Sequence, residues 1–167
     1  MTGVVAWFTG LPAAGKSTLA RAVAAALRAH GRQPLVLDGD EVRDALGSHA
    51  YDDAARDRFY HQLAALAALA ARQGLVVLVP ATAHRRAWRD AARAAAPRFV
   101  EIFVDTPADQ CRARDPKALY AAADAAATLP GVGVAFEPPA AAEIIVHPGD
   151  DAAVAIAARL LAVTAPG

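Results

Sequence analysis

The sequence predicts an α/β protein: a three-layer sandwich in which a five-stranded parallel sheet carries helices on both faces. Three observations predict it. Five short apolar runs (Val4–Phe8, Pro34–Leu37, Leu75–Val79, Phe99–Asp105 and Glu143–Val146) alternate with longer stretches rich in helix formers. Alternation of that kind builds parallel sheets covered on both sides. Gly10-Leu11-Pro12-Ala13-Ala14-Gly15-Lys16-Ser17 lies between the first run and the first helical stretch and reads G-x-x-x-x-G-K-S. This is the phosphate-binding P-loop, in the strand–loop–helix setting that gives the motif its meaning. Finally, 167 residues suit one domain with a proper core, so residues 1–167 are expected to form a single P-loop NTPase domain.

Each element has a local reason. Thr18 to Leu27 is rich in strong helix formers, so a helix is expected from Ser17 to about Arg28, with Gly31 as its stop. Pro34–Leu37 is a short strand running into Asp38-Gly39-Asp40-Glu41-Val42-Arg43. Two carboxylates there stand at the carboxyl end of a strand, where open α/β sheets place ligands. Asp40 also suits the cap of a helix, with Glu41 in its first turn. Asp52 to Arg72 reads as one long helix with Leu63, Leu66 and Leu69 as its apolar stripe. The charges of its first turns, Arg56, Asp57, Arg58 and His61, read most simply as a solvated face.

Leu75–Val79 is a continuous apolar run, hence a central buried strand. Pro80 closes it and no Asp follows, so Asp38 or Asp40 is left to serve the metal. Ala87 to Ala96 is a helix ended by Pro97. After Phe99–Asp105, Thr106 is placed to cap a helix with Pro107 at its first position, running through Cys111 to Arg114. A short helix is expected from Asp115, then an irregular, mobile loop over the site (lid-like, about residues 120–140) containing Pro130, Gly131, Gly133, Pro138 and Pro139. Asp151 to Val163 closes the chain.

The P-loop sets the chemistry. Its glycines let successive backbone N–H groups point inward at phosphate oxygens, and the following helix aims its positive end at the same place. Residues 10–18, Thr18 included, are therefore the ATP cradle. Lys16 reaches the β- and γ-phosphates, and the Ser17 hydroxyl is placed for Mg²⁺. The formal net charge is zero, so nothing marks a nucleic-acid or membrane surface. Cys111 is the only cysteine, which rules out an intrachain disulfide and suits a reducing compartment. With no basic-then-apolar leader and no apolar run long enough to span a bilayer, a cytoplasmic protein is expected. His30, His49, His61 and His147 are too scattered to suggest a metal cluster.

Beyond the P-loop, the segments Leu37-Asp38-Gly39-Asp40-Glu41-Val42-Arg43, Phe103-Val104-Asp105-Thr106-Pro107, Arg114-Asp115-Pro116-Lys117-Ala118-Leu119-Tyr120 and Phe136-Glu137-Pro138 resemble, in order, the adenylyl-sulfate (APS) kinase family. The resemblance implies transfer of the γ-phosphoryl group of ATP to the 3′-hydroxyl of adenosine 5′-phosphosulfate, in sulfate assimilation. It implies that Asp40 orients or deprotonates the hydroxyl and that Asp38, with Ser17, supports Mg²⁺. Arg43 and Arg56 would hold the phosphosulfate and ribose side. Lys117 would reach the acceptor or the transferring phosphate, and Arg114 would lie near the ATP base. A homodimer is a further implication.

The chain departs from the family's pattern in the acceptor half. Phe59 stands where the family has Asn, and His61 and Gln62 follow in place of Arg. Thr82-Ala83-His84 replaces Ile-Ser-Pro, removing the serine of a phosphorylated intermediate. Leu129 replaces the aromatic that stacks the APS adenine, leaving Phe59 or Tyr51 to restack it. Two other readings follow from these departures. The same chemistry on a different nucleotide-linked or specialised metabolite would give Arg85, Arg86 and His84 an anion-binding role. A nucleotide-binding regulatory protein without turnover would have no use for a general base at Asp40.

Overall fold

A computed structural model describes residues 2–115, 117–120 and 128–165. Its five strands, β1 (Val4–Thr9), β2 (Leu35–Val36), β3 (Val76–Pro80), β4 (Phe99–Val104) and β5 (Ile144–Val146), form one parallel sheet in the order β2-β3-β1-β4-β5. The predicted fold class holds. β1 is central and all six of its residues are buried. Val5 aligns with Val77 of β3 on one side and Phe99 of β4 on the other.

Side-chain alternation along β1 divides the core into two layers. Val4, Ala6 and Phe8 face α1 (Lys16–Ala29) and the last helix, α6 (Ala153–Thr164), where Val23, Leu27, Ile156 and Leu160 pack against them. Val5 and Trp7 face α3 (Asp53–Arg72) and α4 (Arg86–Ala95), meeting Phe59, Leu63, Ala67, Ala71 and Trp88. Two shorter helices, α2 (Gly39–Leu46) and α5 (Ala108–Arg114), follow β2 and β4. The P-loop leaves the carboxyl end of β1, where the loops of neighbouring strands diverge and leave a crevice.

Four local expectations are corrected. The buried stripe of α3 contains Leu63 but not Leu66 or Leu69, which are 41% and 49% exposed. Ala64, Ala67, Ala68, Ala70 and Ala71 are buried instead, because small side chains let this helix lie close on the sheet. Asp38, rather than Asp40, caps α2: its carboxylate accepts from the Asp40 N–H at 3.1 Å. Thr106 does not cap α5, whose cap position is Pro107. Its hydroxyl instead donates to the Ala14 carbonyl at 2.8 Å, tying the P-loop to the end of β4. Of the short helix expected from Asp115, residues 117–120 form a turn, with the Asp115 carboxylate accepting from the N–H groups of Leu119 and Tyr120 at 2.8 and 2.9 Å. The remainder of that segment, and the part of the lid-like loop over 121–127, lie outside the described residues.

Candidate active site

One cavity of about 1120 Å³ opens at the carboxyl end of the sheet. Residues 12–18 of the P-loop, Asp38, Asp40, Arg43, Arg56, Phe59, Arg114, Lys117 and Leu129 all line it. The sequence-predicted site residues therefore converge, with Gly10 and Leu11 forming the entry to the same loop.

The phosphate half is mostly backbone. Gly10 has φ +150°, and a Cβ there would sit 2.5 Å from the Val104 carbonyl oxygen. Gly15 has φ +103° and takes the cap position of α1 with no side-chain cap. The first N–H groups of α1 are thus left to an anion. The Lys16 ammonium donates to the carbonyls of Gly10 and Leu11 at 3.0 and 2.7 Å, arched over the loop. Burial pushes its pKa down to about 8, against the pull of Asp40. Displacing it onto phosphates exchanges two neutral acceptors for anionic ones, which are stronger partners. The Arg114 guanidinium lies 3.5 Å from the Ala14 carbonyl, beside this loop. Tyr120 donates to the Pro12 carbonyl at 2.9 Å and closes over it.

The carboxylates Asp38 and Asp40 line the same cavity. The Ser17 hydroxyl donates to the Asp38 Oδ2 at 2.5 Å, so two hard oxygen donors lie side by side at the start of α1. That donor set fits Mg²⁺. Asp40 reaches the Lys117 ammonium at 2.5 Å. This hydrogen bond raises the Lys117 pKa. Both side chains are more than half exposed, and an ion pair in that setting is cheap to separate.

The acceptor half is built from side chains distant in sequence. Arg56 is 6% exposed, and its Nη2 donates to the Thr128 carbonyl at 2.6 Å, next to Leu129. It does not belong to a solvated face as the charges around it suggest; Asp57, Arg58 and His61 do. Arg43 is 5% exposed. Its guanidinium carbon lies 3.8 Å from the Phe59 ring centre and 4.7 Å from that of Tyr51. Nη1 is steadied by the Ser48 and Ala50 carbonyls at 3.3 and 3.5 Å. Phe59 is therefore a buried platform for Arg43, with its face covered, and Tyr51 is the exposed ring of the pair.

The anion site of Arg85, Arg86 and His84 is not assembled. Arg85 pairs with Asp53 at 2.8 Å. The Arg86 side chain donates to the Pro138 carbonyl, and only His84 faces the large cavity. Sequence reasoning assigned no role to residues 146–153, which also line it. The available signal was their position at the carboxyl end of β5.

The fold, the P-loop and the two carboxylates define a P-loop kinase. The model of the family described as Adenylylsulphate kinase matches residues 2–147, and the chain belongs to that family, whose members are phosphotransferases with an alcohol group as acceptor. Adenylyl-sulfate kinase of Aeromonas salmonicida is 43% identical over 146 residues, spanning 84% of this chain and 74% of that one. Bifunctional enzyme NodQ of Azospirillum brasilense is 41% identical over 162 residues, which are 94% of this chain and 26% of that protein. Among solved structures, the Mycobacterium tuberculosis APS kinase CysC in complex with AMPPNP and APS superposes with a TM-score of 0.86 at 33% identity, covering 97% of each chain. A hexameric APS kinase from Thiobacillus denitrificans superposes with a TM-score of 0.61 at 27% identity, over 96% of this chain and 28% of that one.

Proposed function

We propose that the chain transfers the γ-phosphoryl group of ATP to the 3′-hydroxyl of adenosine 5′-phosphosulfate. The observation that carries this reading is that Asp40, paired with Lys117, lines the same cavity as Lys16, Arg43 and Arg56. The P-loop N–H groups and Lys16 hold the ATP phosphates. Arg43 and Arg56 take the acceptor's phosphosulfate. Lys117 leaves Asp40 for the transferring phosphoryl group, which frees the carboxylate for the hydroxyl. The 3′-oxygen forms a bond to the γ-phosphorus, the β–γ bridging bond breaks, ADP departs and the hydroxyl proton passes to Asp40. Positioning and charge neutralisation lower most of the barrier. Ser17 and Asp38 are the residues that would hold Mg²⁺, which when bound neutralises phosphate charge.

The test is ADP release by purified protein with ATP and Mg²⁺, with and without APS, together with identification of the phosphorylated product. APS-dependent ADP release with a 3′-phosphorylated product is expected. ATP binding without APS turnover would move the acceptor to another hydroxyl-bearing anion. The homodimer implied by the family is tested by sedimentation equilibrium, where a monomer would overturn it. Among the described residues no helix is long and apolar enough to cross a membrane.

A further inference from the structure

Among the described residues, neither ring nitrogen of His84, both of them buried, has a hydrogen-bond partner. The residue is 1% exposed and stands in the wall of the large cavity with Arg56, Thr128 and Leu129. Native proteins leave few buried polar atoms unpaired, because each forfeits its bonds to water. The backbone holds the ring there under strain. Ala83 has φ +40°, a conformation that side chains other than glycine rarely adopt. Its N–H donates to the Tyr60 hydroxyl at 3.1 Å, and its carbonyl accepts from Arg89 Nη1 at 2.5 Å. Arg89 is in turn locked to Glu101 at 2.8 Å. Trp88 meets the imidazole edge-on, 4.9 Å between ring centres, and the His84 carbonyl accepts from the Glu137 N–H at 2.9 Å. Every neighbour fixes this residue and none satisfies its nitrogens.

Burial first, then Arg56 and Arg85, lowers the His84 pKa to about 4. The ring is neutral at working pH and presents one donor and one acceptor. Beside two cationic side chains reserved for the anion, Arg43 and Arg56, a neutral donor–acceptor suits a neutral heteroatom edge. A purine base is the part of the acceptor nucleotide that offers one.

We propose that His84 determines acceptor specificity by accepting, on its unprotonated ring nitrogen, a hydrogen bond donated by the exocyclic amine of the acceptor's adenine. This rests on APS being the acceptor. Arg56 turns from Thr128 toward the acceptor's anion and opens the imidazole to the base. The contact replaces recognition that Phe59, committed to Arg43, does not supply.

The experiment compares wild type, His84→Ala and His84→Asn on APS and on purine riboside 5′-phosphosulfate, which lacks the amine. For wild type, loss of the amine is expected to raise KM about tenfold, the worth of one hydrogen bond in a buried site. His84→Ala is expected to raise the KM for APS by about the same factor, with kcat and the KM for ATP little changed, and to lose the discrimination between the two acceptors. His84→Asn, which keeps a donor and an acceptor, is expected to recover part of it. An unchanged ATP KM shows that each variant is folded. Equal discrimination in wild type and His84→Ala would overturn the proposal and leave the APS reading standing. No turnover of APS by wild type would overturn both.

Discussion

The two halves of the cavity are made of different material. The P-loop half is a contiguous loop that offers mainly backbone N–H groups and one lysine. The other half gathers Arg43, Tyr51, Arg56, Phe59, His84 and Leu129 from α2, the α2–α3 connection, α3, the segment between β3 and α4, and a distant loop. Backbone recognition depends on conformation and tolerates little change, as the 2.5 Å approach at Gly10 shows. Side-chain recognition can be rebuilt one residue at a time. The P-loop half and the side-chain half can therefore be probed separately.

The sharpest way to break that separation is at Lys16. Lys16→Ala is expected to abolish phosphoryl transfer, seen as ADP release falling to background, since the group neutralising the transferring phosphate is gone. Lys16 also gives a pH signature. Its pKa of about 8 in the empty site must rise when anionic phosphates bind. ATP binding should therefore take up a proton above about pH 8, and ATP affinity should weaken as pH rises from 8 to 9. Titration calorimetry in buffers of different ionisation enthalpy measures that uptake, and no uptake at pH 9 would show that the lysine stays charged when the site is empty.

Asp40 is where the chemistry itself can be tested. Asp40→Asn keeps shape and removes the base, so turnover should fall by about 100-fold or more while ATP affinity stays within about threefold. Turnover within threefold of wild type would remove Asp40 from the proton-transfer role. The residue's exposed pairing with Lys117 makes a structural explanation of a large loss weak, because surface ion pairs contribute little to stability.

A smaller effect is expected at Phe59, whose ring lies under Arg43 in the cavity wall. Phe59→Leu keeps an apolar core residue but removes the ring under Arg43. The lost cation–π contact, about 1–2 kcal/mol when desolvated, should raise the acceptor KM several-fold to about tenfold and leave the ATP KM unchanged. Equal changes in both would show that Phe59 acts through the fold as a whole. Phe59→Ala is a poorer test, since the cavity alone would cost about 3–5 kcal/mol.

What the sequence revealed follows the same division. The P-loop was legible because its ligands are consecutive and its glycines have one physical reason to be there. Asp38 and Asp40 were legible from their place at a strand end. The stacking of Arg43 on Phe59 was not, because it joins α2 to α3 through tertiary packing that no local pattern encodes. Thr106 was misread because capping residues and loop ties use the same hydroxyl. Arg56 was singled out by the family resemblance alone, because its burial is masked by neighbours of like polarity on one helix. The face of α3 was misjudged because leucine outweighs alanine in any count of hydrophobicity. Close packing on the sheet favours the small side chain, which sends Leu66 and Leu69 outward.

The smallest effect tests that last point. Leu63 is fully buried and Leu69 is half exposed on the same helix. Leu63→Ala should lower the unfolding free energy by about 2–5 kcal/mol, whereas Leu69→Ala should change it by about 0.5 kcal/mol or less. Urea unfolding followed by circular dichroism measures both, with unchanged m-values as the check that the denatured state is comparable. A Leu69 loss as large as that of Leu63 would mean that this outer face is covered by a second copy of the chain. The loss should then shrink on dilution, because a dimer's stability depends on protomer concentration.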